Sequence, residues 1–192
     1  MARCRESLQR VTAGPQTPEP ATLSLTVGEL PVDPVRVVRR RAVRAVIRRG
    51  EHLLMVHSTV AGDYKFPGGG IEVGESPAEA LAREVREECG LAVAHIAGVP
   101  TIVVEERRAG QEPGALLSMR SSYHECVVDH GQEHPRDLDP YEADLGFEAA
   151  WVTVQDAVRQ NEEVLARGPA QPWVTRELAV LRFLLGSSPD PL

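Results

Sequence analysis

The stretch Gly69–Leu91, GGIEVGESPAEALAREVREECGL, sets a glycine loop ahead of a helix whose one face carries Glu84, Glu87 and Glu88. Like charges at i,i+3 and i,i+4 repel across a helix surface, so this trio calls for a compensating positive charge. A hard divalent cation with carboxylate oxygens as ligands supplies one. A salt-bridged, solvated surface helix is the plainer account of an isolated E-x-x-E-E. Here Glu75, Arg83 and the glycine loop stand at fixed offsets and argue against it.

The ends of this helix are written in its caps. Ser76 suits the N-cap, Pro77 the first helical position, and Glu79 completes a capping box. Gly90 fits the left-handed residue that closes a helix. Between them, at about 100° per residue, Ala78, Leu81, Ala82, Val85 and Cys89 are expected to form the apolar face. Arg83 lies one turn before Glu87 and is expected to orient a carboxylate without binding metal itself.

These residues carry a family resemblance. Gly69, Glu75, Arg83, Glu84, Val85, Glu87, Glu88, Gly90 and Leu91 meet every specified position of the Nudix box, and Phe66–Gly70 resembles its usual lead-in. A looser resemblance runs from Val35 to Leu185. It implies an α/β fold, the Nudix-type α/β/α sandwich with a mixed β-sheet between helices. It also implies an enzyme that uses Mg2+ or Mn2+ to hydrolyse a pyrophosphate bond. The substrate would be nucleoside diphosphate-linked: a nucleoside triphosphate, a damaged nucleotide, ADP-ribose or a nucleotide sugar.

By the same resemblance, Glu84, Glu87, Glu88 and the Gly69 carbonyl hold the metal, while Glu75 and Arg83 orient the loop and the acidic face. The attacking water gives its proton to a box glutamate or to a glutamate of a later loop. Glu142 is the first choice in that loop, with Asp139, Asp144 and Glu148 as rivals. Two other readings stay open. A non-catalytic Nudix-like nucleotide sensor would be expected to erode the acidic trio. An isoprenoid diphosphate isomerase would need a cysteine or tyrosine dedicated to a carbocation, and no matching segment stands out. Thr101–Gly110 carries neither the proline nor the tyrosine that marks certain substrate classes of the family.

Substrate contacts are less legible. Arg36, Arg39, Arg40, Arg41, Arg44, Arg48 and Arg49 form a basic run in a chain of net charge -7. On a strand, Arg44 and Arg48 share a face and can reach phosphates through bidentate bonds. An arginine-rich edge strand that resists aggregation explains the run equally well. Lys65, the only lysine, precedes the glycine loop and is either a phosphate contact or a surface residue. Tyr64, Phe66 and Tyr123 are either base-stacking or core aromatics. Arg44, Lys65 and Tyr123 are the substrate-binding candidates. The histidines show no metal-ligand spacing.

At 192 residues with 42% hydrophobic content, the chain suits one domain with a substantial core. The acidic balance argues against a stable nucleic-acid partner without excluding nucleotides as ligands, and the resemblance implies a small-molecule nucleotide. Cys4, Cys89 and Cys126 are an odd count without paired spacing and read as reduced thiols. The N-terminal residues lack an apolar signal core and no stretch is long enough to span a bilayer, so no membrane association and a cytoplasmic location are expected. Residues 1–33 are expected to be a proline-containing, partly ordered extension with a short strand at Thr22–Val27. The resemblance allows a homodimer in which this extension packs across the interface. Residues 34–186 form the Nudix domain and 187–192 a loose tail.

Within the domain, Ala42–Arg48 and His52–His57 alternate around Arg49–Gly50–Glu51 and read as a hairpin. Strand is expected in Leu91–Val104, interrupted at Pro100, and in Leu116–Val128. Polar loops are expected at Arg107–Gly114 and His130–Asp144. A short strand Trp151–Thr153 then leads into helices at Val154–Gln160 and Trp173–Leu185.

Overall fold

The computed structural model of the chain describes residues 20–109 and 113–187. The expectations for residues 1–19, Cys4 among them, and for 188–192 lie outside the described residues. In chain order the elements are β1 (Thr22–Val27), β2 (Val37–Arg49), β3 (His52–Ser58), β4 (Tyr64–Lys65), α1 (Pro77–Cys89) and β5 (Leu91–Arg108). They continue as β6 (Leu116–Glu133), α2 (Pro140–Asp144), β7 (Phe147–Thr153), α3 (Val154–Ala166) and α4 (Val174–Ser187).

The sheet is mixed. Its order is β1-β5-β6-β2-β3-β4, with β7 pairing β3. β1/β5 and β2/β6 are parallel, while β5/β6, β2/β3, β3/β4 and β3/β7 are antiparallel. The hairpin at Gly50 is present, with Arg49 opposite His52. β5 runs through Pro100 on a register shift between Ala97 and Thr101, which absorbs the missing backbone donor. Strands β5 and β6 extend further than their alternation suggested, into both expected loops.

Helices cover both faces of the sheet. On one face, Leu81 and Val85 of α1 meet Val43, Ala45, Ile47, Leu54, Cys126 and Val128. On the other, Val154 and Ala157 of α3 and Val180 and Leu181 of α4 meet Val46, Leu53, Met55, Phe66, Val103 and Tyr123. This is the expected α/β/α layering. β2 serves both layers because its side chains alternate between them. Among the described residues, no helix is long and apolar enough to cross a membrane.

The caps of α1 are as expected. Ser76 and Glu79 form a reciprocal capping box, and Gly90 takes the left-handed conformation at φ 69°. Its buried face is rotated from the expectation. Ala80, Leu81, Val85 and Glu88 are buried, whereas Ala78 and Ala82 are exposed. Small alanines carry little burial energy, so Leu81 and Val85 set the rotation and Glu88 follows them inward.

Candidate functional site

The glycine loop behaves as an extra strand on the edge of β2. Ala45 N–H donates to the Pro67 carbonyl at 2.8 Å, Val43 N–H to the Gly69 carbonyl at 3.0 Å, and Ile71 N–H to the Arg41 carbonyl at 3.1 Å. The loop is thereby fixed against both β2 and the α1 carboxylates. A methyl group at Gly69 would run into the Glu84 carboxylate, and one at Gly68, whose φ is 135°, into the Val43 carbonyl. Gly68 therefore has no room for a side chain, whereas one at Gly69 would have to displace the Glu84 carboxylate.

Arg83 ties the loop to the helix. Its Nε and Nη2 donate to the two Glu75 oxygens at 2.9 and 3.0 Å, and Nη2 also reaches the Gly70 carbonyl at 3.1 Å. Nη1 donates to Glu84 at 2.8 Å and to Glu87 at 3.3 Å. This bidentate grip holds the Glu75 carboxyl below its ordinary pKa. Burial pushes Glu84 up, with Arg83 pulling the other way.

Glu88 is deeper. It is 1% exposed, accepts from Gly68 N–H at 2.8 Å, and meets Lys65 Nζ at 2.5 Å. Desolvation raises its pKa to about 7, against the opposing pull of Lys65. Lys65 is neither a surface residue nor free for a ligand. It is 6% exposed, paired also with Glu142 at 3.5 Å, and its Nζ sits 4.4 Å from the centre of the Phe147 ring.

The segment expected to be a loop from His130 to Asp144 is strand at its start and helix at its end. Asp139-Pro140-Tyr141-Glu142 repeats the cap–Pro–x–Glu signature of Ser76-Pro77-Ala78-Glu79, a signal that was present in the sequence. Asp139 N–H donates to Glu142 at 3.1 Å and Tyr141 Oη donates to the other Glu142 oxygen at 3.0 Å. Helix α2 thus turns Glu142 inward, to 6% exposure, on the same cavity as the α1 carboxylates.

That cavity, of about 420 Å³, is lined by Gly68, Gly69 and Gly70 together with the carboxylates of Glu72, Glu84, Glu87, Asp139 and Glu142. Arg40, Arg41 and Arg44 of β2 line it as well, and Met119, Leu138, Tyr141 and Trp173 supply an apolar part. Asp144 and Glu148 do not line it. Tyr123 is a correction to the substrate-binding candidates. It is 3% exposed, its ring packs edge-on against Phe66, and its hydroxyl is bonded to Arg176 and Glu177, so no ring face is left for a base. Strand alternation by itself could not reveal which helix would cover it.

Could these residues hold a divalent ion? The donors are hard oxygens, the Gly69 carbonyl keeps a second lone pair after accepting from Val43, and the Glu84 carboxylate lies against the Gly69 Cα. Among the described residues, however, no three His, Cys, Asp or Glu side chains are already gathered as a ready metal cluster. Arg83 and Lys65 hold the carboxylates instead. The donor set fits Mg2+ or Mn2+, provided these ion pairs loosen.

A buried charge network missed in the sequence lies next to this cavity. Arg176 is 2% exposed and donates to Glu105 and Glu177, each at 2.8 Å. Glu177 in turn accepts from Phe66 N–H at 3.4 Å, at the entry to the glycine loop. Its residues lie on β5 and α4, far apart in the chain, and no local pattern joins them.

A family model, the NUDIX domain, matches residues 38–174. An RNA pyrophosphohydrolase of a Nitratiruptor species is 46% identical over 43 residues, which are 22% of this chain and 28% of that protein. The matched stretch is thus little more than a quarter of that relative. Among solved structures, a NUDIX hydrolase from Nitrosomonas europaea superposes with a TM-score of 0.50, covering 78% of this chain and 90% of that one at 22% identity. The E. coli ORF135 protein gives 0.49, covering 80% and 95% at 21% identity. At such identity, the Nitrosomonas likeness speaks to the fold alone.

Proposed function

This chain belongs to the Nudix family, and on that premise we propose that it is a metal-dependent hydrolase that cleaves a pyrophosphate bond in a nucleotide substrate. The observation that carries this reading is a cavity in which Glu84 and Glu87 of α1 and Glu142 of α2 share one space with three arginines of β2. A phosphoanhydride is a ligand that uses both kinds of group. Its oxygens complete a metal's coordination and accept bidentate bonds from guanidinium groups. The name of the Nitratiruptor relative supports pyrophosphate hydrolysis as the chemistry.

Glu84, Glu87, Glu88 and the Gly69 carbonyl would hold Mg2+ or Mn2+. Such an ion, when bound, polarises a phosphoryl oxygen, lowers the pKa of bound water and neutralises charge on the departing phosphate. The chain's own residues do the rest. Arg83, clamped on Glu75 and Gly70, keeps Glu84 and Glu87 facing the loop. Arg44 binds a phosphate oxygen. Lys65, between Glu88 and Glu142, holds the two carboxylates together before the ion arrives. Glu142, or one of the box glutamates, accepts the proton of the attacking water.

The test is a product panel by mass spectrometry with Mg2+ and with Mn2+, run on wild type and Glu88→Gln. It includes nucleoside triphosphates, oxidised guanine nucleotides, ADP-ribose, nucleotide sugars and 5′-triphosphorylated RNA. Metal-dependent cleavage that falls on the order of a hundredfold in the variant is expected. Binding of a nucleotide without any turnover would transfer the protein to the sensor reading, and near-normal turnover by Glu88→Gln would remove Glu88 from the site.

A further inference from the structure

The cavity's basic side chains fall into two groups. Lys65 is paired with Glu88 and Glu142, and Arg83 with Glu75, Glu84 and Glu87. Arg40, Arg41 and Arg44 line the same cavity, and none of them has a hydrogen bond or ion pair through its side chain among the described residues. Arg44 is the sharpest case, being 8% exposed with an Nε that has no hydrogen-bond partner.

A guanidinium taken out of water without a counterion is costly, and a folded protein keeps one only where something compensates it. For Arg44 the compensation is distant. Its charge acts on Glu84 and Glu88 through space, without contact. Once those carboxylates hold a cation, even this is used up, and an anion must come from the ligand. Arg44 therefore accounts for one phosphate beside the metal-binding face.

Arg40 and Arg41 are left over. Strand alternation puts Arg40 on the same face as Arg44, about 13 Å along β2, and Arg41 on the other side of the same strand end. Both are exposed at the mouth of the cavity. One diphosphate held between the α1 carboxylates and Arg44 does not need them. Resting on the hydrolase reading above, we propose that Arg40 and Arg41 receive a further phosphate. The substrate class is then a chain of three or more phosphates, such as a nucleoside triphosphate or a 5′-triphosphate end. ADP-ribose and nucleotide sugars, whose group beyond the diphosphate is uncharged, leave both arginines without a partner.

The test measures calorimetric binding of inorganic pyrophosphate and inorganic triphosphate to the full chain in Mg2+, for wild type and Arg40→Gln/Arg41→Gln. Both positions are exposed, so the double variant should fold. Wild type is expected to bind triphosphate about tenfold or more tighter than pyrophosphate, and the variant to lose most of that ratio. Equal affinities in wild type, no triphosphate binding, or a ratio unchanged in the variant each overturns the proposal. A kinetic arm compares kcat/KM for a nucleoside triphosphate and a nucleotide sugar. No metal-dependent cleavage of either, with the binding ratio intact, fails the hydrolase reading alone. Better cleavage of the nucleotide sugar fails the triphosphate inference alone.

Discussion

The indole Nε1 of Trp173 donates to the Oδ2 of buried Asp63 at 2.6 Å, joining the start of α4 to the turn that precedes β4. The other carboxyl oxygen of Asp63 has no partner, and the residue is 1% exposed. The indole is thereby fixed by its nitrogen on one side and by the Phe147 ring, at 6.2 Å, on another, while it borders the cavity. Asn161 adds a second tie nearby, accepting from Tyr64 N–H at 2.8 Å and donating to the Tyr64 carbonyl at 2.9 Å. The approach to the glycine loop is therefore held from the α3/α4 layer.

Asp63 should make stability depend on pH. Burial raises its pKa above 3.8, with the Trp173 bond pulling the other way. A carboxyl whose folded pKa is raised binds more protons folded than unfolded, so stability is lost as pH rises from the unfolded value through the folded one. Asp63→Asn should remove that loss. Thermal unfolding followed upward from about pH 3.5, near the unfolded carboxyl value, should show the variant gaining on wild type as pH rises. A constant difference across the range would contradict this.

Gly68 and Gly69 should fail in different ways. Gly68→Ala imposes a left-handed conformation on a side chain and meets the Val43 carbonyl, so a stability loss of about 2 kcal/mol or more is expected. Gly69→Ala meets the end of a flexible side chain, the Glu84 carboxylate, which can turn aside. Its stability should stay within about 1 kcal/mol of wild type. Its turnover should fall on the order of tenfold to a hundredfold if the displaced carboxylate is a metal donor, as proposed. Chemical denaturation and steady-state kinetics on both variants separate the two effects.

Glu142→Gln tests the α2 carboxylate. If Glu142 takes the proton from water, kcat should fall about a hundredfold or more while KM changes little. Unaltered rate and metal dependence would return the proton-accepting role to Glu84, Glu87 or Glu88.

The Arg176 network makes a prediction about stability alone. Removing the guanidinium leaves Glu177 buried without its cation and Glu105 with Arg107 alone, at a cost of about 3–5 kcal/mol. Arg176→Met should therefore be strongly destabilised in urea. Arg176→Met/Glu105→Gln should recover part of the loss, because one stranded charge is gone. Additive losses in this double-mutant cycle would show that the contact at 2.8 Å carries no coupling.

The parts of this fold that could be read in the sequence are those with local signals. The caps of α1, the Gly50 hairpin and the strand Thr22–Val27 need only neighbouring residues to specify them. The acidic face was legible because its spacing is helical. The burial of Lys65 and Tyr123 was not, since each depends on a layer supplied from elsewhere in the chain: Phe147 for Lys65, Arg176 and Glu177 for Tyr123. The orphaned Nε of Arg44 is likewise a property of packing. Helix α2 is the instructive exception, since its cap signature was local and merely short.

The parallel pairing of β1 with β5 has a bearing on how the chain acquires its shape. Thr22 aligns with Ile102 and Val27 with Arg107. During synthesis the first of these strands leaves the ribosome long before its partner exists, and it must wait while the β2–β3 hairpin and α1 become organised. Closing so large a loop costs chain entropy that local contacts do not. The sheet should therefore gain β1 late, as the last board nailed to the edge of an already standing wall.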